Sequence, residues 1–197
     1  MLQGMKKNVW KSAFGACAVM MLAALVAVAC DSSDDSGKKY DFDKIELTFT
    51  YEVNEETLAL ADVIFAYNEA DANGTAVPAI DTLKTTSWVK KLDASAVPAD
   101  FSIQVQVKPK AGVAYDKTSY TLQMRSIEEF KEYRTDGKVH WIETPDAEQH
   151  SVTLPCDPAN PAAFAEALAM ELSLWNRTFA YIVKADPEGG YDVEDND

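Results

Sequence analysis

The most constraining feature of this 197-residue chain is a strict alternation over residues 45–53. Ile45, Leu47, Phe49, Tyr51 and Val53 alternate with Glu46, Thr48, Thr50 and Glu52. Successive side chains of an extended strand point to opposite faces, so a period of two puts one face in a core and the other in water. The pattern recurs at 101–107, where Phe101, Ile103, Val105 and Val107 alternate with Ser102, Gln104 and Gln106. It recurs again at 119–125, with Tyr120, Leu122 and Met124 facing inward. Strands that are apolar on one face must be covered by a second layer.

Turn signals cut the remaining chain into short pieces. Residues 54–57 read as a turn, and 58–68 as a strand whose phase slips near Ala61 and Asp62, as at a bulge or a late loop. Asn73-Gly74 marks a hairpin, and Pro78 puts the return strand at an edge or restricts it to 79–83. Residues 85–92 form a further strand, with Trp88, Lys90 and Leu92 on one parity; 139–142 and 150–154 are short strands flanking Pro145. Ser126 and Glu129 have capping-box spacing, and Phe130 with Tyr133 falls on one helical face, so 126–133 is expected to make one or two helical turns.

One longer helix is expected after Pro155. Asn160 is its N-cap and Pro161 its first residue, and Phe164, Leu168 and Leu172 recur every four residues on the face that packs on a sheet or across one end of the sandwich. A last strand covers 175–184, with Phe179, Tyr181 and Val183 on one parity, and the acidic segment 186–197 is expected to be disordered. Seven to nine short strands with little helix predict a mainly β fold, an antiparallel two-sheet sandwich of immunoglobulin-like or transthyretin-like arrangement with one helix in the C-terminal half.

The N-terminus reads as a secretory signal. Lys6, Lys7 and Lys11 precede an uncharged apolar stretch at 13–29 that ends in small residues before Cys30, and Met5 is an alternative start. A spanning helix needs roughly 17–25 apolar residues, and the Ala- and Gly-rich composition of this stretch favours a cleaved signal. The expected organisation is a signal peptide at 1–29, an acidic tether at 30–40, a sandwich domain at 41–185 and an acidic tail at 186–197.

Ala27-Val28-Ala29-Cys30 resembles the lipobox of bacterial lipoproteins, with Ala27 where leucine is commoner. The cluster Asp31, Ser32, Ser33, Asp34 and Asp35 resembles the surface-export signal of Bacteroidetes-type lipoproteins. The resemblance covers residues 5 to about 37. It implies that Cys30 is the first mature residue and carries acyl chains of the palmitate type, and that the protein is held in the outer membrane facing outward. Two or more acyl chains anchor stably, at ~0.8 kcal/mol per buried CH₂. The strand pattern is similar to that of small, uncharacterised sandwich lipoproteins of the same group, which implies no functional residue.

Composition narrows the partners. Loss of the signal removes three lysines and no acid, taking the formal charge from −14 to −17. Such a surface repels phosphate backbones and argues against a nucleic-acid partner. Of three cysteines, Cys17 leaves with the signal and Cys30 is the lipid site, so Cys156 stands alone and is expected to be a buried, inert thiol.

Few residues suggest chemistry. Residues 69–74 imitate half of a calcium loop, but the twelfth position falls on Ile80 where a glutamate is needed, so an ordinary hairpin is expected. His140, His150 and Cys156 fit no zinc spacing, and no nucleophile elbow is present, so neither cofactor nor metal is expected. Trp88, Trp141 and Trp175 are the candidate glycan platform, because sugar rings present apolar faces that stack on indole; core packing is their other reading. Asp81-Thr82-Leu83 matches an O-glycosylation pattern of the same bacterial group. Two functions follow as expectations. One is a lipid-anchored, non-catalytic surface module that binds a glycan, a host protein or an outer-membrane partner. The other is an extracellular hydrolase acting on a polymer.

Overall fold

The computed structural model describes residues 42–70, 76–142, 146–186 and 190–195. Cys30, the export cluster 31–35 and the Asn73-Gly74 turn lie outside the described residues.

Two antiparallel sheets face each other, as the alternation predicts. In the first sheet, β1 (Phe42–Val53) lies between β4 (Ser87–Ala94) and the long strand β6 (Ser119–Arg134). The free side of β6 pairs along one half with β8 (Asp146–Pro155) and at its C-terminal end with β7 (Val139–Trp141). The second sheet runs β10-β9-β5-β2-β3, from β10 (Tyr191–Asp195), β9 (Arg177–Ala185), β5 (Ala99–Pro109), β2 (Ala61–Ala70) and β3 (Ala76–Thr82).

The core fills the space between the sheets with the residues that the period of two selects. Ile45, Leu47, Phe49 and Tyr51 of β1 are fully buried against Phe65 of β2, Ile103 and Val105 of β5 and Phe179 and Val183 of β9. Phe49 meets Phe179 at 4.8 Å between ring centres, and Tyr51 meets Phe65 edge-on at 5.4 Å. Each such side chain contributes about 1.5–3 kcal/mol by leaving water, so β1 is a principal stabiliser of the sandwich.

The helix α2 (Pro161–Ser173) starts where the sequence places it, and buries Phe164, Leu168 and Leu172. Asn160 occupies the N-cap position without a side-chain cap bond; in the turn before it, the N–H of Ala159 donates to Asp157 Oδ1 at 2.9 Å. The hairpin expectation also holds in its pairing, since Ala70 faces Ala76 and Pro78 sits on the outermost strand of its sheet, where a missing N–H breaks no ladder.

Three expectations fail for identifiable reasons. The phase slip at residue 61 is not a bulge: the strand does enter late, at Ala61, but what precedes it is not a turn or loop but a short helix, α1 (Glu55–Leu60), capped by Asn54 Oδ1 accepting from the N–H of Thr57 at 2.9 Å. Residues 126–133 are not helical. They continue β6, paired to β1 over Met124–Arg134, and Glu129 never becomes the partner of a Ser126 cap. The acidic tail contains β10, which pairs with β9 through Val193 opposite Val183. There the alternation of Tyr191 and Val193 supplies one apolar face despite the surrounding acids.

Candidate functional site

β3 and β4 are the outermost strands of the two sheets, and the corner that joins them closes one side of the sandwich. Residues 83–86 of that corner are tied to both sheets. The N–H of Leu83 donates to Val63 O at 2.9 Å, and the N–H of Val53 donates to Thr86 O at 2.9 Å. Leu83 is buried, which anchors the corner in the core.

Register decides what faces this seam. Tyr51 pairs with Trp88 and Phe49 with Lys90, so Trp88 and Lys90 share the inward face of β4. Across the gap, Phe65 pairs with Asp81 and Tyr67 with Ala79, so Phe65, Tyr67 and Asp81 face inward from β2 and β3. The Trp88 ring stacks on Phe65 at 3.9 Å with 3° between planes, and Phe49 meets its edge at 6.2 Å. The indole is therefore braced by aromatic rings from both sheets.

A chain of polar bonds runs beside it. Trp88 Nε1–H donates to Asp81 Oδ2 at 3.2 Å, and the Tyr67 hydroxyl donates to the same oxygen at 2.6 Å. Lys90 Nζ donates to the Tyr67 oxygen at 3.0 Å and pairs with Glu69. The Tyr67 bond, opposed by burial and aided by Trp88 and by the charges of Lys90 and Lys84, holds the Asp81 carboxyl below its usual range. Burial and the bond to Asp81 push the Tyr67 phenol up, so it stays a neutral donor to a fixed anion.

An open depression of 480 Å³ lies next to this chain, lined by residues of β3, the corner and the start of β4, among them Asp81, Thr82, Lys84, Thr85, Ser87 and Trp88. A second depression of 390 Å³ lies over the ends of β1, β6 and β8 and carries Glu52, Gln123, Arg125, Gln149 and His150. A third, of 250 Å³, sits beside α1 and Tyr120. The first combines one indole, a fixed carboxylate, a lysine and three hydroxyls, so its lining is mainly polar with a single aromatic ring.

The three tryptophans do not form one platform. Trp141 pairs with Lys131 on the outer face of the first sheet, half exposed, with Lys131 Nζ 4.2 Å from its ring centre. Trp175 is buried after α2, its N–H on Glu171 Oε1 at 3.2 Å. Trp88 faces inward at the opposite edge of the sheet from Trp141, half-buried at the seam. Glu171 also lies 2.9 Å from His150 Nε2, while His140 is exposed on β7. Cys156 is buried, and burial followed by the charges of Asp157 and Asp116 pushes its thiol up, away from a nucleophilic state. Among the described residues no group of three or more His, Cys, Asp or Glu is placed to hold a metal.

No family model, no curated protein and no solved structure matches the chain. The sequence singles out Trp88 at the seam as a binding residue, but Asp81 only within an O-glycosylation pattern, Glu69 only within half of a calcium loop, and Tyr67 only as a strand residue. The available signal was the shared parity of Trp88 and Lys90, which marks a lysine aimed inward that needs a buried or half-buried partner.

Proposed function

We propose that this chain is a lipid-anchored, non-catalytic binding module of the bacterial cell surface, held in the outer membrane through Cys30, with residues 31–35 acting in its export. The module meets its partner with the β3–β4 side of the sandwich. One observation carries this reading: Trp88 is held rigid between Phe65 and Asp81 at the border of an open depression. A ring fixed before binding loses little freedom when it is covered, which favours recognition. Asp81 is the one carboxylate among the lining residues, which supports binding over glycoside hydrolysis by the usual pair of carboxylates.

The anchor is tested by metabolic labelling with an alkyne fatty acid. Wild type is expected to label and Cys30→Ala to lose the label; a labelled Cys30→Ala variant refutes the anchor. Replacing Asp31, Asp34 and Asp35 by alanine is expected to keep the label but to remove cleavage by external protease in intact cells. The hydrolase alternative predicts release of reducing ends from extracellular polysaccharide that Asp81→Asn abolishes, and none is expected.

A further inference from the structure

We propose that the β3–β4 depression is a subsite for a neutral pyranose unit of a polysaccharide, stacked on Trp88 and held at its hydroxyls by Asp81 and Lys84. The proposal rests on the binding-module reading and names its ligand class.

The bonding around Trp88 leaves a specific chemistry on offer. The indole N–H is spent on Asp81 and one ring face is covered by Phe65, so Trp88 offers the depression the carbon surface that Phe65, Phe49 and Tyr67 leave uncovered. Asp81 receives both of its bonds on Oδ2, and Oδ1 accepts no hydrogen bond among the described residues. That oxygen is a charged acceptor whose direction is fixed by its partner oxygen. Lys84 makes no ion pair among the described residues, although its charge acts on Asp81, so its ammonium is a free donor on the same rim. Thr82 and Ser87 add hydroxyls that both donate and accept.

A pyranose ring presents the complement: C–H patches on its faces and hydroxyls around its rim that donate and accept together. The lining carries one cation and one anion, Lys84 and Asp81, which gives an anionic sugar no net attraction. The formal charge of −14 on the whole chain works against an acidic polymer as well. The depression is open rather than enclosed, which suits a unit within a chain of sugars. Its 480 Å³ lies within the ~300–1,000 Å³ usual for small-ligand sites.

The test uses the full chain purified in detergent and an array of neutral and acidic oligosaccharides, with affinities for the retained glycans measured by titration. Two variants probe the site. Asp81→Asn keeps the shape of the side chain and an acceptor for Tyr67 and Trp88 but removes the charge. Thr82→Trp changes an exposed residue with no side-chain bond in the described structure and fills the depression. The expected result is binding of at least one neutral glycan, weakened about tenfold or more in each variant, as for loss of a charge-assisted contact or occlusion of the site. An unchanged urea midpoint for at least one of the two variants assigns that loss to the site.

Neutral-glycan binding that is unaffected in both variants overturns the location. Binding of acidic glycans alone overturns the ligand class. Retention of no glycan overturns the inference, while surface display of a fatty-acid-labelled chain would leave the binding-module reading standing. Failure of the label or of surface display would instead sink that reading and not the glycan site.

Discussion

Glu46 sits on the outward parity of β1, yet it is only 3% exposed. Four neighbours cover it. Lys91 Nζ lies 2.8 Å from Oε1 and Lys44 Nζ 3.0 Å from Oε2, while the hydroxyls of Tyr133 and Thr48 donate to Oε1 at 3.1 and 3.2 Å. Burial pushes its pKa up, but the bonds from Lys91, Lys44 and Tyr133 outweigh burial and bring it down to about 2. A carboxyl whose folded pKa is depressed binds protons more readily in the unfolded chain. Its stabilisation is therefore fully present above the unfolded value of 4.5 and is lost as pH falls toward about 2. The size is up to about 3 kcal/mol at neutral pH, from a shift of this magnitude. Urea unfolding of wild type and Glu46→Gln at pH 7, 5 and 3 checks it. The gap between the two proteins is expected to be largest at pH 7 and to shrink between pH 5 and 3. A gap independent of pH would show that Glu46 acts through shape alone.

Among the elements, β6 best separates what the sequence reveals from what it hides. Its first half was legible because Tyr120, Leu122 and Met124 alternate with polar residues. Its second half was not, because Ser126, Glu128 and Glu132 occupy the inward parity and erase the apolar signal. Only pairing with β1 and β8, many residues away in the chain, makes that half a strand, so the local capping pattern loses to tertiary structure. The same limit applies to the site. Trp88 was visible as a residue type, but Asp81 and Tyr67 join it across two sheets, and no local spacing encodes that meeting. The strand reading of Ser126 makes a prediction of opposite sign to the helical one. Ser126 is fully buried, and its hydroxyl finds no partner among the described residues. Removing an unpartnered buried hydroxyl is neutral or stabilising by up to about 1 kcal/mol, whereas removing an N-cap costs ~0.5–2 kcal/mol. The urea midpoint of Ser126→Ala is thus expected to stay or rise; a clear fall would restore the cap.

At the scale of the whole molecule, a two-sheet sandwich must close its sides as well as fill its centre. The side between β8 and β9 is spanned by the ion pair of Glu148 and Arg177 near α2. The side between β3 and β4 is closed by Trp88, which belongs to one sheet and stacks on Phe65 of the other. An exposed ion pair contributes about 0–1 kcal/mol, while truncating a packed aromatic costs about 3–5 kcal/mol when the gap cannot collapse. Trp88 is held on both sheets, so collapse there would require moving a strand. Trp88→Ala is therefore expected to cost several times more than Trp141→Ala, which removes a half-exposed ring and its contact with Lys131. That second change should cost about 1 kcal/mol or less, the range of an exposed cation–π pair. Hydrogen exchange adds the location. In Trp88→Ala the amides of β3 and β4 should exchange faster while those of β6 and β9 keep their protection, because the outermost strands of a sheet open before its centre. Equal losses of stability in the two variants, or faster exchange spread evenly over both sheets, would mean that the β3–β4 side is not where the sandwich is fastened.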